Sequence, residues 1–374
     1  GETMETIKAT QITCSVYHSV TDKALGAMRE MGVEEYHLQP SRAVVLRRKA
    51  GFLGIGAGIG LEEEPADKML FYVPADAADT ALRGLAEACG LKIPGRGSVV
   101  SEEIEMVPTS AWEGKSLTAL PGSEDVITHG DMASITCTVT RGEGDSIVKA
   151  VLGLGMPMPQ VTTGIGTGLR EKLGVVRVAL PAEKEVVHAV VSAHEATEIL
   201  GSLYDAGRMY RFGAGFIYQS PLSRGVVNSM VIRGQRHSAS IEQLIAAVDD
   251  LKGSADWRKR ALGGEESTRR YNYIFDLVNL TLICNEGRAT DLVRAAMAAG
   301  ASGATIVKLS YARFDGAESK VSPARETTQL IIGQDQVGPV AEALTAAGLF
   351  DDDTAGVMAL KPVSAACSNR GARR

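Results

Sequence analysis

The chain has 374 residues, 45% apolar and 22% charged, with 5% aromatics and 41 glycines, which is the composition of a globular protein of two or three domains. A net charge of −6 gives no general attraction to nucleic acid or an anionic membrane, and no apolar run reaches the roughly 18 residues of a membrane-spanning helix. The five cysteines (Cys14, Cys89, Cys137, Cys284, Cys367) are odd in number and lack C-x-x-C spacing, which argues for reduced thiols rather than a disulfide framework or a zinc site.

In chain order, the opening GETMETIKATQITC lacks the charged-then-apolar layout of a signal peptide, so a cytoplasmic protein is expected. QITCSVYHSVTDKALGAMREMGV (11–33) is a β-branched run, a polar turn and an amphipathic stretch ending at Gly32. It reads as a strand followed by a helix with a C-terminal glycine. GIGAGIG (54–60) then runs into LEEE. KMLFYVPADAADTALRGLAEACGL (68–91) is a strand reaching Pro74, an acidic first turn and a helix, since proline and acids suit a helix start. GRGSVVSEEIEM (95–106) is a glycine turn into a strand.

The same order returns after a linker. SITCTVTRGEGDSIVKAVLGLGM (134–156) is followed by GIGTGLR (164–170) and then by VVRVALPAEKEVVHAVVSAHEAT (175–197). There a strand is expected to reach Pro181 and a helix to carry His188 and His194. GAGFIYQSP (213–221) closes this unit. An insert follows, with an amphipathic helix SIEQLIAAVDDLKG and a basic WRKR read as a solvated turn. The third recurrence is NLTLICNEGRATDLVRAAMAAGA (279–301), TTQLIIGQDQVGPVAEALTAAGL (327–349) and TAGVMALKP (354–362). The expected fold class is α+β: three tandem ferredoxin-like (split βαβ) units packed as an intrachain pseudo-trimer. The units occupy 1–110, 131–234 and 277–374, the last degenerate, joined by a linker at 111–130 and a helical insert at 235–276.

Neither glycine stretch has dinucleotide-fingerprint spacing, because Ile59, Leu61 and Leu169 stand where a glycine is needed. Alternating glycines instead leave backbone N–H groups free to converge on an anion. Gly164, Gly166, Thr167 and Gly168, with Arg170 and Lys172 beside them, form a candidate anion loop. The first copy is followed by Glu62, Glu63 and Glu64, which repel an anion, so it reads as a mobile partner-contact loop. No Walker or H-E-x-x-H motif is present. The acidic runs 62–64 and 351–353 read as solvated faces. Cys14 and Cys137 occupy equivalent strand positions and read as small buried residues. No catalytic or metal-ligating residue is assigned.

QVTTGIGTGLREKLG (160–174) resembles the base of the long T-loop of the PII nitrogen-regulatory signalling family. KIPGRGSVV (92–100) is similar to that family's nucleotide-cradling turn, through Lys92, Gly95, Arg96 and Gly97. RFGAGFIY (211–218) repeats the turn with Arg211, Gly213 and Gly215, and TAGV keeps only Gly356. Where that family has a lysine after the turn, this chain has Ser98, Phe216 or Val357. The resemblance implies a regulatory protein that binds a small anionic metabolite or nucleotide in inter-unit clefts. The ligand would be an adenine nucleotide or a 2-oxoglutarate-like anion, with signalling to a partner protein through T-loop-like segments. An enzyme reusing the clefts and a ligand-free scaffold stay open as alternatives.

Overall fold

The computed structural model describes residues 5–49, 58–107, 114–156, 158–167, 183–211, 213–227, 271–316, 319 and 321–368. The first part of the chain forms β1 (Ile7–Tyr17), α1 (Thr21–Met31), β2 (Glu35–Lys49), β3 (Gly58–Val73), α2 (Ala78–Ala88) and β4 (Gly97–Met106). The middle forms β5 (Met132–Thr140), α3 (Gly144–Gly153), β6 (Gln160–Gly166), β7 (Glu183–Ser192), α4 (Ala196–Ala206), β8 (Gly215–Leu222) and β9 (Arg224–Val227). The last part forms β10 (Tyr273–Ile274), β11 (Leu277–Asn285), α5 (Ala289–Ala298), β12 (Thr305–Arg313), β13 (Ala324–Gly333), α6 (Val337–Ala346), β14 (Val357–Val363) and β15 (Ala365–Ser368).

Alternation along the strands sets which face each presents, because successive strand side chains point to opposite sides. In β1, Ile12, Cys14 and Val16 pack under α1 and α2 with Met28, Leu82 and Leu85. Ile135, Cys137 and Val139 of β5 do the same under α3 and α4, and Leu280, Leu282 and Cys284 of β11 under α5 and α6. Burying each large apolar side chain of this kind stabilises by about 1.5–3 kcal/mol. The intervening residues are polar yet equally buried: Gln11 and Thr13, Ser134 and Thr136, Asn279 and Thr281. The sheet therefore has apolar cores beneath paired helices on one side and a polar interior on the other.

One element differs locally from the sequence expectation. Residues 183–192 form strand β7, and the following helix starts only at Ala196. His188 is thus a strand residue. Val186, Val187, Val190 and Val191 are β-branched, stiff at χ1, and fit a pleated surface better than a helix.

The expected fold class is corrected more broadly. The strands do not form three separate ferredoxin-like sheets packed as a pseudo-trimer; they join into a single 15-stranded sheet. Nine of them close antiparallel into a barrel, in the order β2–β3–β1–β4–β14–β11–β13–β12–β6 and back to β2. The other six are β7, β5, β8, β15 and β10, which continue outward from β6, and β9, which pairs with β4. The physical reason lies at the strand edges. An unpaired edge leaves a row of backbone donors and acceptors unsatisfied. Here the edges meet each other: Ala359 pairs with Met106, Ala365 with Gln219, Arg42 with Val161 and Tyr311 with His37. No helix among the described residues is long and apolar enough to cross a membrane.

Candidate functional site

The polar faces of these strands converge on an internal cavity of about 40 Å3. Its walls are Gln39 of β2, Lys68 of β3, Thr136 of β5, Gln160 and Thr162 of β6, Val186 and His188 of β7, Thr305 and Val307 of β12, and Thr327 and Gln329 of β13. A smaller space of about 10 Å3 shares Gln160 and His188 and adds Ser15, Gly97, Ser98, Met158, Val190 and Val227. At about 10–15 Å3 per water, the larger space takes about three solvent-sized groups, too few for a nucleotide.

Much of the surrounding polar interior is satisfied internally. Gln11 Nε2 donates to Thr13 Oγ1 at 3.1 Å and to Glu102 Oε2 at 3.2 Å. Lys361 Nζ donates to the same Glu102 oxygen at 3.1 Å, forming a buried ion pair. Tyr218 of β8 donates to Gln329 Oε1 at 3.0 Å and accepts from Asn279 Nδ2 at 3.3 Å. Through it the strands beyond β6 reach across to β11 and β13.

Two groups at the cavity are left over. Gln160 is 4% exposed, and its Nε2 has no hydrogen-bond partner among the described residues. The Lys68 ammonium makes no hydrogen bond or close ion pair among them. Burial lowers the Lys68 pKa to about 8, Lys361 lowers it further by repulsion, and Glu102 partly offsets both. Burial, then Lys68 and Lys361, drive the His188 pKa well below its ordinary value, so His188 is neutral and offers one donor and one acceptor. Burial raises the pKa of Tyr218 and keeps it protonated. The cavity therefore presents hydroxyls, amides, a neutral imidazole and one cation without a carboxylate in contact.

The sequence-derived candidates lie mainly elsewhere. Gly164 and Gly166 are strand residues of β6, and Gly166 pairs with Thr305. Thr167 donates its N–H to Ala304 O at 2.9 Å, and its hydroxyl accepts from Ala304 N at 3.2 Å. Gly168, Arg170 and Lys172 lie outside the described residues, as do 54–57 of the first glycine stretch and the WRKR insert. Lys92 pairs with Glu87 at 2.7 Å, and Arg211 with Glu143 at 3.0 Å. Arg96 is exposed and folds back over Gly90. Gly95 and Gly213 have positive φ, 76° and 75°. Gly97 and Gly215 permit close approach, since a Cβ would stand 2.3 Å from the Ser15 carbonyl and 2.2 Å from that of Thr138. Of all these residues, Gly97 lines the smaller space. Glu62 and Glu63 are exposed, and Glu63 is ion-paired with Arg42.

Sequence reading missed Lys68, Gln160 and His188, because a polar residue in a strand ordinarily marks a solvent face. It also missed a recurring carboxylate. Asp67, Glu185 and Glu326 stand opposite Val16, Val139 and Cys284. Glu185 accepts from Gly142 N and Gly144 N at 3.0 and 2.9 Å. Glu326 accepts from Gly287 N and Ala289 N at 3.1 and 3.2 Å. Asp67 accepts from the Thr21 hydroxyl at 2.6 Å. Each carboxylate sits at a helix N-terminus, where orphan donors and the dipole favour negative charge.

No family profile and no curated protein matches the chain. Among solved structures it is similar to a GlnK–ATP complex from B. subtilis, at 15% identity and a TM-score of 0.22, over 26% of this chain and 84% of that one. It is also similar to an aspartate kinase from Synechocystis, at 10% identity and a TM-score of 0.22, over 95% of this chain and 43% of that one. The likeness to a PII protein is thus faint and local.

Proposed function

We propose that this chain is a regulatory protein that binds a small ligand in its polar interior and reports the occupancy to a partner protein through the β2–β3 ribbon. One observation carries the reading: Gln39 and Lys68, both cavity residues, are direct cross-strand partners at the root of that ribbon. The ribbon stays paired out to Lys49 and Gly58. Its last contact with β6 is at Arg42 and Ala43, and Ala43 pairs with the cavity residue Gln160. Val44 then donates its N–H to Pro159 O at 3.2 Å and, like Val45, is buried, leaving four further residues of β2 (46–49), an extension of about 13 Å at ~3.3 Å per residue. A ligand that pulls on Lys68 or Gln160 therefore acts on the base of the ribbon. Ligand-dependent ordering of a projecting segment is a recognised switching device.

A catalytic reading has one observation of its own. Exposed His18 places Nδ1 2.6 Å from Asp67 Oδ2, the arrangement of a base and its orienting acid. The same Asp67 oxygen also takes the Thr21 hydroxyl, and Glu185 and Glu326 fill the equivalent position at their own helices. Helix capping explains all three carboxylates, and the dyad only one.

The test is a thermal-shift screen of small metabolites, followed by amide exchange on the hits. A ligand that binds only the native state raises the melting temperature. The expected result is a stabilising ligand that also changes exchange at Val44 and Val45. A ligand that stabilises the protein yet leaves ribbon exchange unaltered removes the regulatory reading, and a screen without hits leaves the scaffold.

A further inference from the structure

We infer that the cavity is the binding site of one small monovalent oxyanion, of about three or four non-hydrogen atoms, held by the Lys68 ammonium and the Gln160 amide. This rests on the interior being the ligand chamber proposed above, and it adds the chemical class of the ligand. Three observations lead to it. The first is charge. Lys361 and Glu102 neutralise each other at 3.1 Å and His188 is neutral, so Lys68 contributes a single uncompensated positive charge. Lys68 is half-buried, and an unpaired charge drawn out of water is costly, a cost that an anion in contact reduces.

The second is donor chemistry. Gln160 Nε2 is a buried donor with no partner among the described residues, and it lines both spaces. Lys68 adds three donors, and Thr136 and Thr162 add hydroxyls that rotate to suit an acceptor. Donors from β3, β5 and β6 thus surround a space whose one uncompensated charge is positive. Hydrogen bonds from an ammonium to an anionic oxygen are among the stronger ones. The third is size. A cavity of about 40 Å3 suits a planar ion such as nitrate or formate better than tetrahedral sulfate or phosphate, and one positive charge does not balance two negative ones.

The experiment is calorimetric titration of the full chain with sodium nitrate and sodium formate at constant ionic strength, with sulfate and phosphate as oversized controls. Expected is one site per chain for nitrate or formate, with sulfate and phosphate at least tenfold weaker. Lys68→Met should lose at least tenfold in affinity, and Gln160→Leu should weaken binding severalfold. Because either variant could fail to fold, the unmodified protein is also followed by NMR, where the Gln160 side-chain amide should shift as the anion is added. An unshifted Gln160 amide, unchanged affinity in Lys68→Met, or sulfate binding as tightly as nitrate each overturns the inference. Nitrate or formate binding at Lys68 with unaltered ribbon exchange sustains it while removing the regulatory reading. A ribbon that responds to a ligand still bound by Lys68→Met does the reverse.

Discussion

Arg42 Nη2 lies 2.6 Å from Glu185 Oε1 and joins the β2–β3 ribbon to a carboxylate 143 residues further along the chain. The other Glu185 oxygen accepts the backbone N–H groups of Gly142 and Gly144 at the start of α3. Glu185→Ala leaves two backbone donors without their acceptor and Arg42 with its ion pair to Glu63 alone. The expected loss is about 2 kcal/mol, the cost of leaving enclosed donors unsatisfied, read as a lowered urea midpoint. Glu185→Gln, which keeps an acceptor oxygen, should lose less. A loss under about 1 kcal/mol in the alanine variant would mean that water replaces the carboxylate without penalty.

Lys68 gives a pH dependence with a definite sign. Its folded pKa is about 8 against an ordinary 10.5, so between those values the unfolded chain binds more protons than the folded one. Stability from this group therefore rises as pH climbs from about 8 to about 10.5, and the penalty is full below about 8. The groups facing it are Lys361 on β14, Glu102 on β4 and neutral His188 on β7. Lys68→Met should be more stable than the parent near pH 7, by on the order of 2 kcal/mol, and should lose this rise. The readout is the denaturant midpoint against pH for both proteins. Parallel curves would show that the ammonium is well solvated.

Two glycines should resist substitution while a third welcomes it. In Gly97→Ala and Gly215→Ala the new Cβ meets a backbone carbonyl of the neighbouring strand at 2.3 and 2.2 Å, and a backbone atom cannot step aside as a side chain can. A loss of about 3 kcal/mol is expected for each. Gly26, inside α1, has open space where a Cβ would stand, with no neighbouring atom within 4 Å, so Gly26→Ala should gain about 0.4–1 kcal/mol. Thermal melts of the three variants decide it, and equal melting points would refute the close approach.

All five cysteines are free and buried. Burial raises the thiol pKa of Cys137, and that of Cys284 to about 12, and a protonated, enclosed thiol is a poor nucleophile; a hydrogen bond with Cys14 lowers the pKa of Cys89, so there enclosure alone slows the reaction. Native protein should react with a thiol reagent only slowly, all five groups reacting at once in denaturant. A fast thiol in the native protein would reveal local opening at its strand.

Much of the local structure is legible in the sequence. The alternation in QITCSVY separates the face under α1 and α2 from the other face, and Gly32, Gly155 and Gly300 do adopt positive φ at 89°, 77° and 115° beside their helix ends. The union of the sheets is not legible. It depends on edge pairings such as Ala359 with Met106 and Tyr311 with His37, and no local propensity encodes which distant edge a strand meets. The cavity is hidden for a related reason. Lys68 and His188 are polar residues in strands, the usual mark of water-facing positions, and they become interior only because the sheet closes around them. The second glycine stretch suggests backbone freedom, whereas Gly164 and Gly166 serve in β6 beside the neighbouring strands.

The closure of the barrel between β2 and β12 has a consequence for biosynthesis. Ser310 bonds the Leu38 carbonyl across 272 residues, so a ribosome must deliver most of the chain before that seam exists. Until then the outer edge of β2 waits without its later partners, and bringing such distant segments together is slow. An exposed strand edge is a template for wrong partners, and emerging chains of this length are open to such errors. The pairing that seals the finished molecule thus makes its final assembly a late event, and chains stalled before residue 305 should be the ones that depend most on chaperones.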